Sequence, residues 1–263
     1  MRMMSERIYL NNDWKFAEQF EASMTEAAYD DSTMQNVRLP HTCKETPLHY
    51  FDEHCYQMIS GYRRVIEAEK AWEGKKILLT IDGAAHDSEV FLNGEKVGEH
   101  HCGYTAFTMD ISGALRYGEK NILAVKVDSR EDLNIPPFGY VIDYMTYGGI
   151  YRDVYLISTG PVYITDPNEA NTVAGGGVFF RTESLDPFTR KGKVGVKVQV
   201  ANQTDKEQKV RVQAVMTDPK GVDPAGETVP LVIPPRSTGE VDIPLVLSNV
   251  KPWSPDNPDL YTL

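Results

Sequence analysis

The sequence predicts an all-β protein made of two β-sandwich modules. Three observations carry this prediction. Apolar and polar residues alternate with a period of two along much of the chain, whereas helical periodicity is weak and best over the short stretch Glu18–Tyr29. The alternating segments are short and separated by turn-rich loops, the pattern of sandwiches and barrels. The series breaks near Gly160-Pro161 and is followed by a stretch rich in Asn, Pro and Gly, Asp166–Gly177. The boundary predicts a first module over 1–160 and a second over 161–263.

In the first module the strand candidates begin with Lys76–Asp82, an apolar run. Val90–Gly98 reads as two short strands around Asn93-Gly94, a pair that tolerates the positive φ of a type I′ hairpin turn. Phe107, Met109 and Ile111 then alternate with Thr108 and Asp110. Leu123, Val125 and Val127 share one face of Asn121–Asp128, and Val154–Ile157 closes the series. The second module is more regular. Val194, Val196, Val198 and Val200 alternate with Gly195, Lys197 and Gln199; Val210, Val212, Ala214 and Met216 form a second stripe, and Val241, Ile243, Leu245 and Leu247 a third. Such strands are antiparallel, with one face dry and one wet.

Composition narrows the function classes. Of 263 residues, 41% are hydrophobic, enough for each module to bury a core. The net charge of −11, from 27 basic against 38 acidic residues, opposes a polyanionic backbone. The basic clusters Arg63-Arg64, Lys75-Lys76 and Arg190–Lys193 are too short to form a nucleic-acid stripe. No apolar run approaches the ~20 residues of a spanning helix. Met1–Trp14 lacks the layout of a signal peptide, so a cytoplasmic location is expected. Cys43, Cys55 and Cys102 form no C-x-x-C pattern and read as free thiols. His41 and Cys43, His54 and Cys55, and His100-His101-Cys102 lack the spacing of a zinc site. Neither a metal nor a cofactor is expected.

Several motifs together carry a family resemblance. They are Leu39-Pro40-His41-Thr42, Gly61-Tyr62-Arg63-Arg64, Ile81-Asp82-Gly83-Ala84, Val90–Gly98, Gly103-Tyr104-Thr105-Ala106-Phe107 and Asp110-Ile111. The series goes on with Gly118–Val125, Tyr147-Gly148-Gly149-Ile150-Tyr151-Arg152-Asp153-Val154 and Trp253–Tyr261. In this order and spacing the chain resembles the N-terminal part of glycoside hydrolase family 2, the group of β-galactosidases, β-glucuronidases and β-mannosidases. The resemblance implies a jelly-roll sugar-binding domain followed by an immunoglobulin-like sandwich, the latter truncated so that Leu260–Leu263 lacks a partner strand. It also implies a (β/α)₈ barrel beyond them that holds the chemistry. Retaining hydrolysis needs two carboxyl groups roughly 5–5.5 Å apart, and in the family both are barrel glutamates, the acid/base in an Asn-Glu pair. The Asn168-Glu169 pair of this chain sits instead in the loop between modules. No catalytic residue is therefore assigned, and the 263 residues alone are expected not to hydrolyse glycosides.

Sugar hydroxyls are held by carboxylates and amides, and sugar C–H faces by aromatic rings. Phe138–Tyr151 supplies both, with Phe138, Tyr140, Tyr144, Tyr147 and Tyr151 around Asp143. The resemblance implies that Asp143 reaches a sugar hydroxyl in the barrel's active site, as the matching aspartate of β-galactosidases does. Tyr144 is the aromatic candidate beside it, the other tyrosines reading as packing. Asp52 is a further candidate, near an asparagine that approaches the substrate in β-galactosidases. Arg152 and Asp153 read as an ion pair that fixes the loop, and Gly148-Gly149 as a backbone geometry that side chains would block.

The resulting expectation is a non-catalytic N-terminal region of a β-galactosidase-like enzyme. It acts on carbohydrate only together with its C-terminal barrel, and a homo-oligomer is compatible with the sequence. A free-standing carbohydrate-binding module and a protein-binding scaffold are the alternatives.

Overall fold

A computed structural model describes residues 5–49, 52–138, 145–222 and 224–263. The chain divides into two compact units, Met1–Gly160 and Pro161–Leu263.

In the first unit two antiparallel sheets face each other. One contains β1 (Glu6–Tyr9), β5 (Lys76–Ile81), β8 (Phe107–Asp110) and β10 (Val154–Thr159), in the order β1-β10-β5-β8. The other contains β2 (Trp14–Ala17), β3 (Gln35–Val37), β4 (Ile59–Glu67), β6 (Asp87–Leu92), β7 (Glu95–His101) and β9 (Lys120–Asp128), in the order β3-β2-β4-β9-β6-β7. Between them Trp14, Tyr62, Leu79, Val90, Leu123, Val125 and Leu156 are sealed from solvent, the fate of the apolar stripes seen in the sequence. The Asn93-Gly94 hairpin forms as expected, with φ of 54° and 91°. Asn93 also ties the turn to β9, its Oδ1 accepting from the Ile122 N–H at 3.0 Å.

The one helical expectation is corrected. Over Glu18–Tyr29 only a 3-10 turn forms, Ala22–Thr25. The cause lies far along the chain, in Arg63 of β4, which is 3% exposed. Its guanidinium donates to the carbonyls of Met24 at 2.9 Å, Glu26 at 3.1 Å and Tyr29 at 3.4 Å, and to Asp31 Oδ2 at 3.1 Å. Those carbonyls satisfy their hydrogen-bonding need on a buried charge rather than on a helix.

The second unit is built from β11 (Val162–Ile164), β12 (Val178–Asp186), β13 (Lys191–Asn202), β14 (Gln208–Met216), β15 (Ala225–Ile233) and β16 (Ser237–Leu247). The long β13 pairs with β16 along one edge and with β11 and β12 along the other. β14 and β15 form a second, two-stranded layer. The three apolar stripes of the sequence meet between the layers as Val194, Val196, Val198, Val200, Val212, Ala214, Met216, Ile243 and Leu245. The chain end is not wholly without a partner: Thr262 bridges to Thr217, just past β14. The fold is all-β, as the alternation predicts.

Candidate functional site

The candidate site lies on the segment joining β9 to β10 in the first unit, and its two feet are held independently. At the first foot, Ser129 N–H donates to Met58 O at 2.9 Å and Ser129 Oγ to Tyr56 O at 2.5 Å. Glu131 N–H donates to Gln57 Oε1 at 2.8 Å, and the Glu131 carboxylate accepts from Thr146 Oγ1 at 3.2 Å, which ties the start of the segment to its return. Gly103 N–H reaches Pro136 O at 2.8 Å.

At the second foot the backbone is gripped from two sides. Cys43 N–H donates to Gly148 O at 3.0 Å, His41 N–H to Ile150 O at 2.8 Å and Ala85 N–H to Gly149 O at 3.0 Å. The glycines are required here. Gly149 has φ +106°, and a Cβ on it would lie 2.6 Å from Tyr62 Oη; one on Gly148 would lie 2.4 Å from Ser129 Cβ. The sequence reading of this pair is a matter of close backbone approach, and the structure supplies the atoms approached.

Behind the second foot sits a buried polar pair. Tyr62 Oη lies 2.9 Å from His41 Nδ1 and accepts from the Ile150 N–H at 3.4 Å. Its own proton is thereby free to point at His41. Burial lowers the His41 pKa and raises that of Tyr62, so both stay neutral and the contact is a neutral hydrogen bond. Cys43 packs beside them, its thiol pushed up to about 11 by burial. It remains protonated, a packing residue rather than a nucleophile. Cys43, Cys55 and Cys102 are free thiols in the structure.

Of the sequence-predicted contact residues, Asp143 and Tyr144 fall in 139–144, outside the described residues. Asp52 caps the 3-10 turn Glu53–Tyr56, its Oδ1 accepting from the His54 N–H at 2.9 Å and lying 2.7 Å from His54 Nδ1. The His54 backbone N–H, and then the His54 ring, hold its carboxyl below the usual carboxylate range. The carboxylate is exposed. Tyr56, in the turn that Asp52 caps, meets Tyr147 edge to face at 5.2 Å, and Tyr147 is half exposed. The Asp52 turn and the second foot of the segment are therefore in contact through these two rings.

Two further features differ from the sequence reading or escape it. Arg152 and Asp153 do not pair with each other. Arg152 donates to Tyr104 O at 3.1 Å, and Asp153 accepts from Asn11 Nδ2 at 2.9 Å, so each ties the segment to a different neighbour. His86, 1% exposed, places Nδ1 3.3 Å from Arg130 O, and its Nε2 has no partner among the described residues. No motif pointed to it, because nothing in a sequence marks a histidine as buried. Among the described residues no three His, Cys, Asp or Glu side chains converge on a metal-sized space. The Asn168-Glu169 pair forms part of a single α-helical turn, Pro167–Ala170, capped by Asp166 Oδ1 at 2.9 Å and 3.0 Å.

Comparison with known proteins decides the family. The model of the sugar-binding domain of glycosyl hydrolases family 2 matches residues 15–161, and that of the following family 2 domain matches residues 173–263. The chain belongs to glycosyl hydrolase family 2. Among family 2 relatives, a β-galactosidase of Thermoanaerobacter pseudethanolicus is 31% identical over 96% of this chain and 32% of its own length. A β-galactosidase of Thermoanaerobacterium thermosulfurigenes is 36% identical over 78% of the chain and 29% of its own length. A β-glucuronidase of Bacteroides fragilis is 31% identical over 80% of the chain. The fold matches that of Bacteroides uniformis β-glucuronidase 2 with a TM-score of 0.84 over 98% of this chain and 30% of that one, at 24% identity. The chain thus spans about a third of the length of these family 2 proteins, their N-terminal domains.

Proposed function

We propose that this chain is the non-catalytic N-terminal region of a family 2 glycosidase of the β-galactosidase type, and that its first module lends the β9–β10 segment to a sugar site completed by a barrel. The observation that carries the reading is the double clamp on that segment: Ser129 and Glu131 at one foot, and the Gly148–Ile150 backbone at the other. Fixed feet keep the segment at one end of the sandwich, which supports a residue contributed from one domain to another's site. Asp143 lies between the feet and is the sugar-hydroxyl acceptor in this reading, with Tyr144 beside it. Asp52 approaches from the neighbouring turn, which Tyr56 and Tyr147 hold against the second foot.

Charge favours a neutral sugar. Both proposed contacts, Asp143 and Asp52, are acids on a chain of net charge −11. A galactosyl hydroxyl donates to a carboxylate, whereas a glucuronate carboxylate would meet like charge. The test is made on the complete enzyme, with nitrophenyl β-galactoside and β-glucuronide compared side by side. The reading expects the galactoside to be turned over faster and Asp143→Asn to lower kcat/KM for it. Faster turnover of the glucuronide would overturn the substrate assignment. An unchanged kcat/KM in Asp143→Asn would remove the first module from the site.

A further inference from the structure

Besides their separate anchors, the two feet of the β9–β10 segment share one. The dipeptide Ala85-His86, directly before β6, touches both. Ala85 forms a two-way backbone bridge with Gly149 of the second foot, its N–H donating to Gly149 O at 3.0 Å and its O accepting from the Gly149 N–H at 3.4 Å. His86 holds the first foot. Its backbone N–H donates to Asp128 O at 2.9 Å, and its ring Nδ1 lies 3.3 Å from Arg130 O. The tether between the feet rests on the same dipeptide: a Cβ on Gly103, whose N–H reaches Pro136 O, would lie 3.3 Å from Ala85 Cβ.

Arg130 is where the chain turns from β9 into the segment, and its polar groups are gripped from both sides. The Asp128 carboxylate accepts from its N–H at 3.1 Å, from Nε at 2.9 Å and from Nη2 at 2.6 Å. Its carbonyl meets the His86 ring. A carbonyl can only accept, so the His86 proton sits on Nδ1 and Nε2 is the bare nitrogen. Burial lowers the His86 pKa against the pull of the Arg130 carbonyl, Glu131 and Asp128, and the ring stays neutral.

For packing alone, a histidine is a poor choice here. His86 is 1% exposed, and the lone pair of Nε2 finds no donor among the described residues. A buried acceptor that has given up water without a protein partner loses stability. An apolar side chain of similar volume avoids that loss. What it cannot supply is the Nδ1–H that meets Arg130 O.

We propose that His86 is a positioning residue of the sugar site: its Nδ1–H bond to Arg130 O on one side, and its neighbour Ala85 on the other, set the spacing of the two feet. It touches no sugar itself, and its role rests on the reading above in one respect, that the segment carries Asp143 to a sugar. Glu131 follows Arg130 directly, so a shift of the Arg130 carbonyl also moves the carboxylate that Thr146 Oγ1 meets at 3.2 Å.

Three substitutions separate the bond from the volume. Asn carries its N–H at the level of Nδ1, Gln at the level of Nε2, and Leu fills the space with no donor. Amide exchange is read first, on the 263-residue chain. The Glu131 and Gly149 amides, one on each foot, should exchange about tenfold faster in His86→Leu and His86→Gln than in the native protein, and His86→Asn should restore most of the protection. Kinetics follow on the complete enzyme with nitrophenyl β-galactoside. His86→Leu should raise KM about tenfold with kcat changed less than about threefold, and His86→Asn should recover most of the loss. In an Asp143→Ala background His86→Leu should cost less than about twofold more, since what it positions is gone.

A merely space-filling ring would give the reverse order, Leu near native and Asn the worst, and that order in exchange or in KM overturns the proposal. Equal losses in Asn and Leu overturn it too, as does native protection in both. Where His86→Leu does not fold, the Asn–Gln comparison decides, and equal behaviour of that pair overturns it. The two readings fail separately. An Asp143→Ala enzyme with native kcat/KM sinks the sugar reading, while the exchange order still decides whether His86 sets the feet. A weakened Asp143→Ala enzyme beside a native His86→Leu sinks the His86 inference alone.

Discussion

The two modules make opposite use of the same alternating pattern. In the first, strands of uneven quality are closed into a sealed core between a four-stranded and a six-stranded layer, and polar groups are drawn inside to hold loops. Arg63 binds the Met24–Tyr29 carbonyls, and Tyr62 meets His41 under the Gly149 backbone. In the second, the strands are longer and more regular, but β12 keeps both faces open. Regular alternation reports that a strand has a face to bury; it does not report that a partner covers it. Closure depends on the number of strands in each layer, a property of topology.

The contrast between the modules is greatest at Arg63. Replacing it with Ala strands the Met24, Glu26 and Tyr29 carbonyls and the Asp31 carboxylate, and should destabilise the first module by about 3–5 kcal/mol. Arg181→Ala, which removes an exposed ion pair with Glu183 in the second module, should cost under about 0.5 kcal/mol. Calorimetric unfolding of the two variants checks both, and equal losses would break the contrast.

Next in size are apolar truncations. Leu79→Ala, in a residue with no exposure, should cost about 2–5 kcal/mol. Phe180→Ala should cost less than about 0.5 kcal/mol in the 263-residue chain, because its ring lines an open groove. A Phe180 loss as large as that at Leu79 would mean the groove is covered.

Acidification should separate the modules more gently. All six histidines lie in the first, and burial lowers the pKa of His41, His86 and His100 below their ordinary value of 6.5. The folded state therefore holds these rings neutral while the unfolded chain takes up protons as pH falls below about 6.5, so stability present above that value is lost on acidification. The first module's thermal midpoint should fall between pH 7.5 and pH 5.5 more than the second's, and His86→Gln should reduce the slope. A parallel fall in both modules would assign the effect elsewhere.

The smallest stability effect is expected at Asp143. Asp143→Ala should shift the first module's unfolding free energy by less than about 0.5 kcal/mol, as for a surface loop acid. In the complete enzyme it should lower kcat/KM by about tenfold to a hundredfold, the worth of a hydrogen bond to a charged acceptor. A large drop in thermal midpoint would make Asp143 structural instead.

Much of this fold was legible in the sequence, and what was not has a physical cause. Val194–Val200, Val210–Met216 and Val241–Leu247 read as strands because one face of each is dry. β4 was harder, since buried Arg63 and Ser60 interrupt its alternation, and β12 gave no stripe, because neither face is buried. Glu18–Tyr29 suggested a helix because the competing donor, Arg63, is remote in sequence. At the site, Gly148-Gly149 was legible as a close approach. The burial of His86 and the separate partners of Arg152 and Asp153 depend on contacts across the fold, which spacing does not encode.

In the proposed function the first module contributes to a sugar site it does not complete alone. Calorimetric titration of the 263-residue chain with galactose, beside the same titration of the complete enzyme, tests it most directly. Saturable heat is expected from the complete enzyme and none from the 263-residue chain. Saturable binding by the shorter chain would contradict it and make the first module a self-sufficient carbohydrate-binding module.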